Sequence, residues 1–237
     1  MKNLFQAILL TLIFSGGIMM AQAQELPTID KEHAAVLITD PQNDFLHPNG
    51  KLYKLVKDNM EQLGTIEHIE VLMKTAKKTG ITLAVDPLIY TSLDNNWKNA
   101  GALQQQLLDM QALHRDSLDE KSFSGSGADY FEQYKPYIED GETIQAAPHK
   151  MYGPESNDLI YQLRSRGIDT VILAGLVANL CVDSHMRSLM ENGFKVYVVK
   201  DAVAAPGDDA YNAALINYAM IANGVLTTEQ AVSVMTN

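Results

Sequence analysis

The sequence is poor in cysteine, in basic residues and, beyond its first segment, in long apolar runs. Its 237 residues include one cysteine, Cys181, so an internal disulfide framework is excluded. There are 18 Lys and Arg against 29 Asp and Glu, and the formal net charge of −11 argues against nucleic acid or an anionic membrane as a partner. The lone thiol is either a packed core residue or a reactive group, and its count alone slightly favours the packed residue.

The first 23 residues have the pattern of an export signal. Lys2 gives a positive start, residues 4–20 are largely apolar, and Ala21-Gln22-Ala23 places small residues at a cleavage site. A membrane anchor is the alternative, but the apolar stretch is shorter than the ~20 residues of a spanning helix. The sequence therefore predicts cleavage after Ala23, a periplasmic or secreted protein, and one domain over residues 24–237.

Short runs of apolar and β-branched residues alternate with helical stretches. The runs are nearly continuous in apolar residues, which is typical of strands buried on both faces of a parallel sheet. They cover residues 34–39, 81–85, 143–147, 170–174, 195–199 and 225–227. Helices are predicted between them at residues 56–78, 155–166, 181–191 and 208–222. This order predicts an α/β fold, a three-layer, doubly wound parallel sheet of the Rossmann-like kind.

One long excursion interrupts this alternation. Residues 87–142 separate the second and third predicted strands and include an apolar, Gln-rich helix candidate at 102–113. Long excursions at strand ends often form lids or pocket walls. A lid or pocket wall is therefore one interpretation, and a decorative insertion or an oligomer contact is the other.

Three reactive side chains follow predicted strands. Asp40 closes the first strand, Lys150 comes shortly after the third, and Cys181 follows the fourth. Ligands of open parallel sheets bind at the carboxyl ends of strands, so these groups converge if their strands are central neighbours. Cys181 also opens a predicted helix, and a helix N-terminus favours the thiolate. Taken singly, each residue has a structural interpretation, and Asp44 is an alternative to Asp40 or a residue that holds the loop.

The order Asp, Lys, Cys on these strand ends resembles that of the isochorismatase-like cysteine hydrolases, a family that includes nicotinamidases and carbamoyl amidases. The most specific stretches are residues 37–45, Pro148-His149-Lys150, residues 175–182 and Lys200-Asp201-Ala202. The resemblance covers the chain from about His33 to Val232. It implies a six-stranded parallel sheet flanked by helices.

The resemblance also implies a role for each reactive residue. Asp40 would be the general base, Lys150 would hold Asp40 and the thiolate electrostatically, and Cys181 would attack a carbonyl to form a thioester. A cis peptide is implied between Leu176 and Val177. The backbone N–H groups of Val177 and Cys181 would then form the oxyanion hole.

The metal motif of nicotinamidase-type relatives is incomplete in this sequence. Those relatives bind a metal through an Asp-x-His motif after the second strand and a further histidine. Here Asp86 is present, but Leu88 stands at the position of the first histidine and His114 lies much further on. We therefore predict no metal and no other cofactor.

Two histidines are further candidates for the base. His185 lies four residues after Cys181 and can share its helix face as a Cys–His pair, and His149 precedes Lys150. A packed or hydrogen-bonded histidine is the more common case. Substrate contacts are predicted at four aromatic residues, each with core packing as the alternative: Phe45, Tyr90, Trp97 and Tyr152.

The predicted function is that of an exported cysteine hydrolase that cleaves an amide-like C–N bond of a small molecule. An ester would be cleaved by the same groups. Vinyl-ether cleavage, which names the family, needs no thiolate, and a non-catalytic binding or assembly module is the alternative from another class. A homo-oligomer is expected from family likeness only, and no membrane partner is expected after signal cleavage.

Overall fold

The computed structural model describes residues 26–117, 123–150 and 152–237. Its strands form one sheet and are β1 (Ala34–Thr39), β2 (Thr82–Asp86), β3 (Ile144–Gln145), β4 (Thr170–Leu176), β5 (Lys195–Ala204) and β6 (Gly224–Leu226). All neighbouring strands are parallel, in the order β3-β2-β1-β4-β5-β6. The predicted α/β fold with a six-stranded parallel sheet is confirmed. The predicted export signal lies outside the described residues.

The central strand β1 shows why its sequence is continuously apolar. All six of its residues are buried. Successive side chains of a strand point to opposite faces, and here both faces are covered. Val36 and Ile38 join one core cluster, whereas Ala35 and Leu37 join the other.

Helices cover both faces of the sheet and make three layers. They are α1 (Asn43–Leu46), α2 (Tyr53–Leu63), α3 (Thr65–Thr79), α4 (Ala102–Asp109), α5 (Lys135–Ile138), α6 (Leu159–Ser165), α7 (Asp183–Glu191), α8 (Asp208–Ile221) and α9 (Thr228–Thr236). Helices α2, α3 and α9 supply apolar residues to one core cluster, and α6, α7 and α8 supply the other. No helix within the described residues is both long enough and apolar enough to cross a membrane.

The single helix predicted at residues 56–78 is two helices in the structure. Gly64 separates α2 from α3 and has a left-handed φ of 65°. Apolar residues on both sides of this glycine keep the helical spacing and pack into the same core cluster. The periodicity is therefore helical on both sides, but it does not reveal a glycine that turns the chain.

The three strands that precede Asp40, Lys150 and Cys181 are not all neighbours, which corrects the prediction. β1 and β4 are adjacent at the centre of the sheet, but β3 is an edge strand separated from β1 by β2. The chain after β3 stays beside the chain after β2, because Leu88 and His149 form an isolated parallel bridge. This pairing carries the segment after β3 towards the centre of the sheet edge.

The described parts of the excursion, residues 87–117 and 123–142, pack against the body of the protein. Leu107, Leu108 and Leu113 lie in the core cluster that contains α2 and α3. The Gln42 side chain donates to the carbonyls of Leu88 and Ala128, at 3.0 and 2.7 Å. These contacts make the excursion a wall beside the end of β1; its part in closing a site or in an oligomer stays a prediction.

Gly175 allows β4 to pass very close to β1. Its φ is 116°, and a Cβ atom built on it would lie 2.2 Å from the backbone oxygen of Thr39. The ladder between β4 and β5 shifts register between Leu173 and Gly175. On the same stretch, the Thr39 hydroxyl donates to the Leu176 carbonyl at 3.0 Å. Only glycine fits this crossing, because any side chain would meet backbone atoms that cannot move aside.

Replacing Gly175 by Ala is expected to lower the free energy of unfolding by roughly 3 kcal/mol, because the new Cβ overlaps the β1 backbone in an unfavourable φ region. Gly80→Ala is the matched control. Gly80 also has a positive φ, of 77°, but a Cβ atom added to it would have nothing within 4 Å, so the expected loss is about 1 kcal/mol. Urea denaturation followed by circular dichroism measures both; equal losses would contradict the effect of the close approach.

Candidate active site

Asp40 and Cys181 meet where the strand order of the sheet reverses. Asp40 directly follows β1 and Cys181 follows β4, its neighbour. A carboxylate oxygen of Asp40, a ring nitrogen of His149 and the Cys181 sulfur all lie within 4.8 Å of one another. Asp40 and His149 are fully buried and Cys181 is 3% exposed. The structure thus brings together two of the three predicted catalytic residues, with a histidine as the third group.

The Asp40 carboxylate is buried and only partly hydrogen-bonded. Its Oδ1 lies 2.9 Å from His149 Nε2. Its Oδ2 is buried and has no hydrogen-bond partner in the part of the chain that the structure describes. The backbone of Asp40 is also unusual for a non-glycine residue, with a φ of 50°, and its N–H donates to the Asp86 carbonyl at 3.0 Å. One oxygen is therefore fixed by the protein and the other remains available as an acceptor.

His149 reaches Asp40 because of the backbone pairing beyond β2. Its N–H donates to the Pro87 carbonyl at 2.9 Å, and its carbonyl accepts from the Ile89 N–H at 3.4 Å. In the structure it is His149 that contacts Asp40, whereas the Lys150 side chain contacts Asp94. The sequence offered His149 only as another base.

Lys150 contacts a different carboxylate from the one expected. The resemblance implies that it holds Asp40 and the thiolate, but its Nζ donates to Asp94 Oδ2 at 2.7 Å. Asp94 is 7% exposed, and the same oxygen also accepts from the Thr91 N–H. Asp94 is not among the residues predicted from the sequence, because nothing in its local pattern separates it from an ordinary turn residue.

The surroundings of Cys181 mainly raise the pKa of its thiol, whereas the helix N-terminus and the lysine considered in the sequence would lower it. Burial raises the pKa of the Cys181 thiol well above its usual value, and the nearby Asp40 carboxylate raises it further. A hydrogen bond from the Val177 backbone N–H acts in the opposite direction. Cys181 is also not the first residue of a helix, since it lies inside a π-helical turn, Ala178–Val182, that precedes α7. The predicted effect of a helix N-terminus on the thiol stays a prediction.

The turn before Cys181 has the backbone feature that the resemblance implies. The Leu176–Val177 peptide is cis. The Tyr218 hydroxyl of α8 donates to the Ala178 carbonyl and so ties this turn to the neighbouring helix. The assignment of the Val177 and Cys181 N–H groups as an oxyanion hole stays a prediction.

Of the four aromatic residues predicted to contact substrate, two lie electrostatically close to the thiol. Burial and then Cys181 raise the pKa of both Tyr90 and Tyr152. Trp97 packs edge-on against Tyr90, with ring centroids 5.9 Å apart. Phe45 is 4% exposed and belongs to a core cluster, which fits the core-packing alternative.

His185 is not placed to deprotonate Cys181. Its Nδ1 lies 2.7 Å from the Cys181 backbone carbonyl, and its Nε2 lies 2.8 Å from Asp86 Oδ2. Both ring nitrogens are therefore directed away from the sulfur. Asp86, His149 and His185 each have a ligand atom within 4.8 Å of the others, as metal ligands do, but one hydrogen bond already joins Asp86 to His185. The prediction of no metal remains a prediction.

Two further aspartates from the sequence motifs support the loops of the structure. Asp44 Oδ1 accepts from the Lys51 N–H at 3.0 Å, and its Oδ2 accepts from the Leu113 N–H at 2.6 Å. Asp201 Oδ1 accepts from both the N–H and the hydroxyl of Thr228 at the start of α9. Asp44 is thus the residue that holds the loop, the second of its two interpretations.

Comparison with known protein families and curated sequences gives a consistent result. The isochorismatase domain family matches residues 34–230. An uncharacterized isochorismatase family protein of Escherichia coli O157:H7, YecD, is 38% identical over 73 residues, which is 31% of this chain and only 37% of that protein. The ureidoacrylate amidohydrolase RutB of Caulobacter segnis is 25% identical over 229 residues, and the match covers 92% of each chain.

Comparison with solved structures supports the fold. A cysteine hydrolase from Pseudomonas syringae pv. phaseolicola 1448A matches with a TM-score of 0.72 at 21% identity, over 90% of this chain and 98% of that chain. Identity this low establishes a shared fold and does not transfer a substrate.

Asp40→Asn is expected to move the pH profile of Cys181 alkylation to lower pH. The Asp40 charge raises the thiol pKa, so its removal lowers that pKa and more thiolate forms at a given pH. The measurement is the rate of labelling by methyl methanethiosulfonate against pH, read by intact mass. Asp94→Asn is the control, because Asp94 pairs with Lys150, and it should leave the profile nearly unchanged. A profile that moves to higher pH in Asp40→Asn would contradict the assigned contact.

Proposed function

Since the chain belongs to the isochorismatase family, whose members are hydrolases, we propose that it cleaves an amide-like C–N bond of a small molecule through a thioester on Cys181. The Asp40 carboxylate carries the proposal. A buried acceptor without a hydrogen bond is costly, so such an atom is usually kept for a purpose. Asp40 Oδ2 has no partner among the described residues and belongs to a carboxylate close to the Cys181 sulfur.

The proposed reaction begins with a neutral thiol. Asp40 takes the thiol proton while the sulfur attacks the substrate carbonyl carbon, and the carbonyl oxygen becomes an oxyanion held by the Val177 and Cys181 N–H groups. When the tetrahedral intermediate collapses, the C–N bond breaks and the leaving nitrogen takes the proton from Asp40. Asp40 then removes a proton from water as the water attacks the thioester carbonyl. Collapse of this second tetrahedral intermediate breaks the C–S bond and releases the acid, and the proton on Asp40 returns to the sulfur.

His149 is proposed as the positioning partner of Asp40. By holding Oδ1 at 2.9 Å it fixes the carboxylate plane and leaves Oδ2 for the proton transfers. Lys150 is proposed as a cation of the site wall that acts with Asp94. In this proposal the His149 imidazole makes the contact with Asp40 that was predicted for the Lys150 ammonium.

The depth of the site supports a small acyl or carbamoyl group as the reacting end of the substrate. Cys181 is 3% exposed and Asp40 is fully buried, so a bulky group cannot reach the sulfur. RutB is described as a ureidoacrylate amidohydrolase, which makes ureides and primary amides the first compounds to test. An ester would meet the same groups, and the adduct experiment below includes that case.

Export is the remaining part of the proposal. It is supported by the pattern of the first 23 residues, from the basic Lys2 to Ala21-Gln22-Ala23. N-terminal sequencing of the protein from its native cells, with a chain that begins at Gln24, is the result that this proposal requires.

Cys181→Ala is expected to abolish hydrolysis while the circular dichroism spectrum stays that of the wild type, because the change removes only the sulfur. Wild-type protein incubated with primary amides, ureides, hydrazides and matched esters, then acid-quenched, should show an intact-mass increase equal to the acyl half of the reactive compound. The same incubation with Cys181→Ala should show none. Hydrolysis at the wild-type rate by Cys181→Ala would remove the nucleophile assignment.

His149→Asn and Lys150→Met separate the two candidate partners of Asp40. If His149 positions Asp40, then His149→Asn should lower kcat at least about 100-fold, whereas Lys150→Met should lower it by less than about tenfold. Steady-state kinetics on the substrate found by the adduct screen gives kcat and KM for both variants. The reverse ranking would return the catalytic contact to Lys150.

A further inference from the structure

A second carboxylate–imidazole pair lies beside the nucleophile, and the proposed reaction does not use it. His185 Nδ1 lies 2.7 Å from the Cys181 carbonyl oxygen, and His185 Nε2 lies 2.8 Å from Asp86 Oδ2. Asn157 Nδ2 donates to the other oxygen, Asp86 Oδ1, at 2.6 Å. The side chains of Asp86 and His185 are fully buried. A continuous chain of hydrogen bonds therefore ends on the backbone of Cys181.

The partners of His185 determine how many protons the pair holds. A backbone carbonyl only accepts hydrogen bonds, so the Nδ1 of His185 must carry a hydrogen. A neutral imidazole has one N–H, and the other nitrogen faces a carboxylate, which also only accepts. One further proton must then lie between Nε2 and Oδ2. With this proton the pair has no net charge, which removes most of the cost of burying the Asp86 carboxylate.

We propose that Asp86 and His185 are positioning residues for the nucleophile. The imidazole fixes the turn that carries the sulfur by its bond to the Cys181 carbonyl, and its shared proton cancels the Asp86 charge beside the thiol. Asn157 holds Asp86 in place. The effect of the pair on turnover depends on the proposed hydrolase function, whereas its effect on the thiol does not.

The effect of removing the His185 imidazole on the Cys181 thiol depends on the ionisable groups that surround the sulfur. Several elements contribute them: Asp40 after β1, Asp86 at the end of β2, His149 after β3, His185 on α7, and the hydroxyls of Tyr90, Tyr152 and Tyr218. When it is ionised, the Asp86 carboxylate is one of the groups that raise the pKa of the Cys181 thiol. Without His185 that carboxylate has lost its shared proton, and its full charge opposes formation of the thiolate.

The test is the alkylation of Cys181 by methyl methanethiosulfonate as a function of pH, in the full-length protein. His185→Ala should slow labelling about tenfold at a fixed pH below the thiol pKa, as expected for an upward shift of about one pH unit. The double variant His185→Ala with Asp86→Asn removes the isolated charge and should recover most of the wild-type rate. A purely structural role predicts that the double variant is no better than the single one, and that result would overturn the proposal.

A matched control exists on α3. His68 Nδ1 also lies 2.9 Å from a backbone carbonyl, that of Asp201, so His68→Ala removes the same kind of hydrogen bond elsewhere. Its alkylation profile should be that of the wild type, and a slowing equal to that of His185→Ala would count against a specific role for His185.

Asp86→Asn alone keeps the test decisive if His185→Ala does not fold. If the pair is already neutral, this change should leave the labelling profile within about twofold of the wild type, since His185 then accepts from the new amide. A large acceleration would mean that Asp86 carries an uncompensated charge in the wild type, which contradicts the shared proton.

Metal analysis and hydrolysis assays complete the design. Stoichiometric zinc in the purified protein, with chelation changing the alkylation profile, would overturn the proposal, because Asp86 and His185 would then be metal ligands. Alkylation needs no substrate. A recovered labelling rate in the double variant therefore supports the positioning pair even if no amide is hydrolysed. If amides are hydrolysed but the double variant does not recover the labelling rate, the positioning role is refuted and the hydrolase function stands.

Discussion

The Asp40 carboxylate is buried at the centre of the sheet edge, and the surrounding structure must accommodate it there. Asp40 can lie there only because β1 and β4 are adjacent, and Gly175 lets their backbones approach closely. His149 satisfies one oxygen and leaves the other without a partner among the described residues. The sulfur of Cys181 lies beside this carboxylate, so its proton has an acceptor within reach. The packing of β1 and β4 therefore keeps the Asp40 carboxylate and the Cys181 sulfur close together.

The sequence predicts the sheet well because strands that are buried on both faces consist almost entirely of apolar residues. The alternation of Val36 and Leu37 between two core clusters explains why β1 has no polar positions before its last residue. Strand order is harder to predict, since a crossover can place the next strand on either side of its predecessor. The edge position of β3 follows from contacts between distant segments, and a single sequence contains no record of them.

The choice between His149 and Lys150 shows where prediction from motifs ends. Both residues lie in a short matched stretch, and either has a nitrogen that could contact a carboxylate. Which one faces Asp40 depends on the path of the backbone after β3, which is aligned by the bridge between His149 and Leu88. The motif at residues 37–45 also has a structural role. The Gln42 side chain donates to the carbonyls of Leu88 and Ala128 and so holds the excursion in place. Residues beside a catalytic group are often there to support the backbone.

The burial of the single thiol has a consequence for the durability of the protein. Oxidants and disulfides react mainly with a thiolate that is exposed. Cys181 is 3% exposed, and burial raises the pKa of its thiol. Peroxide and bulky disulfides should therefore react slowly with the resting protein. A chain with no second cysteine cannot repair such damage through an internal disulfide, so it depends on keeping its sulfur protonated and enclosed until a ligand arrives.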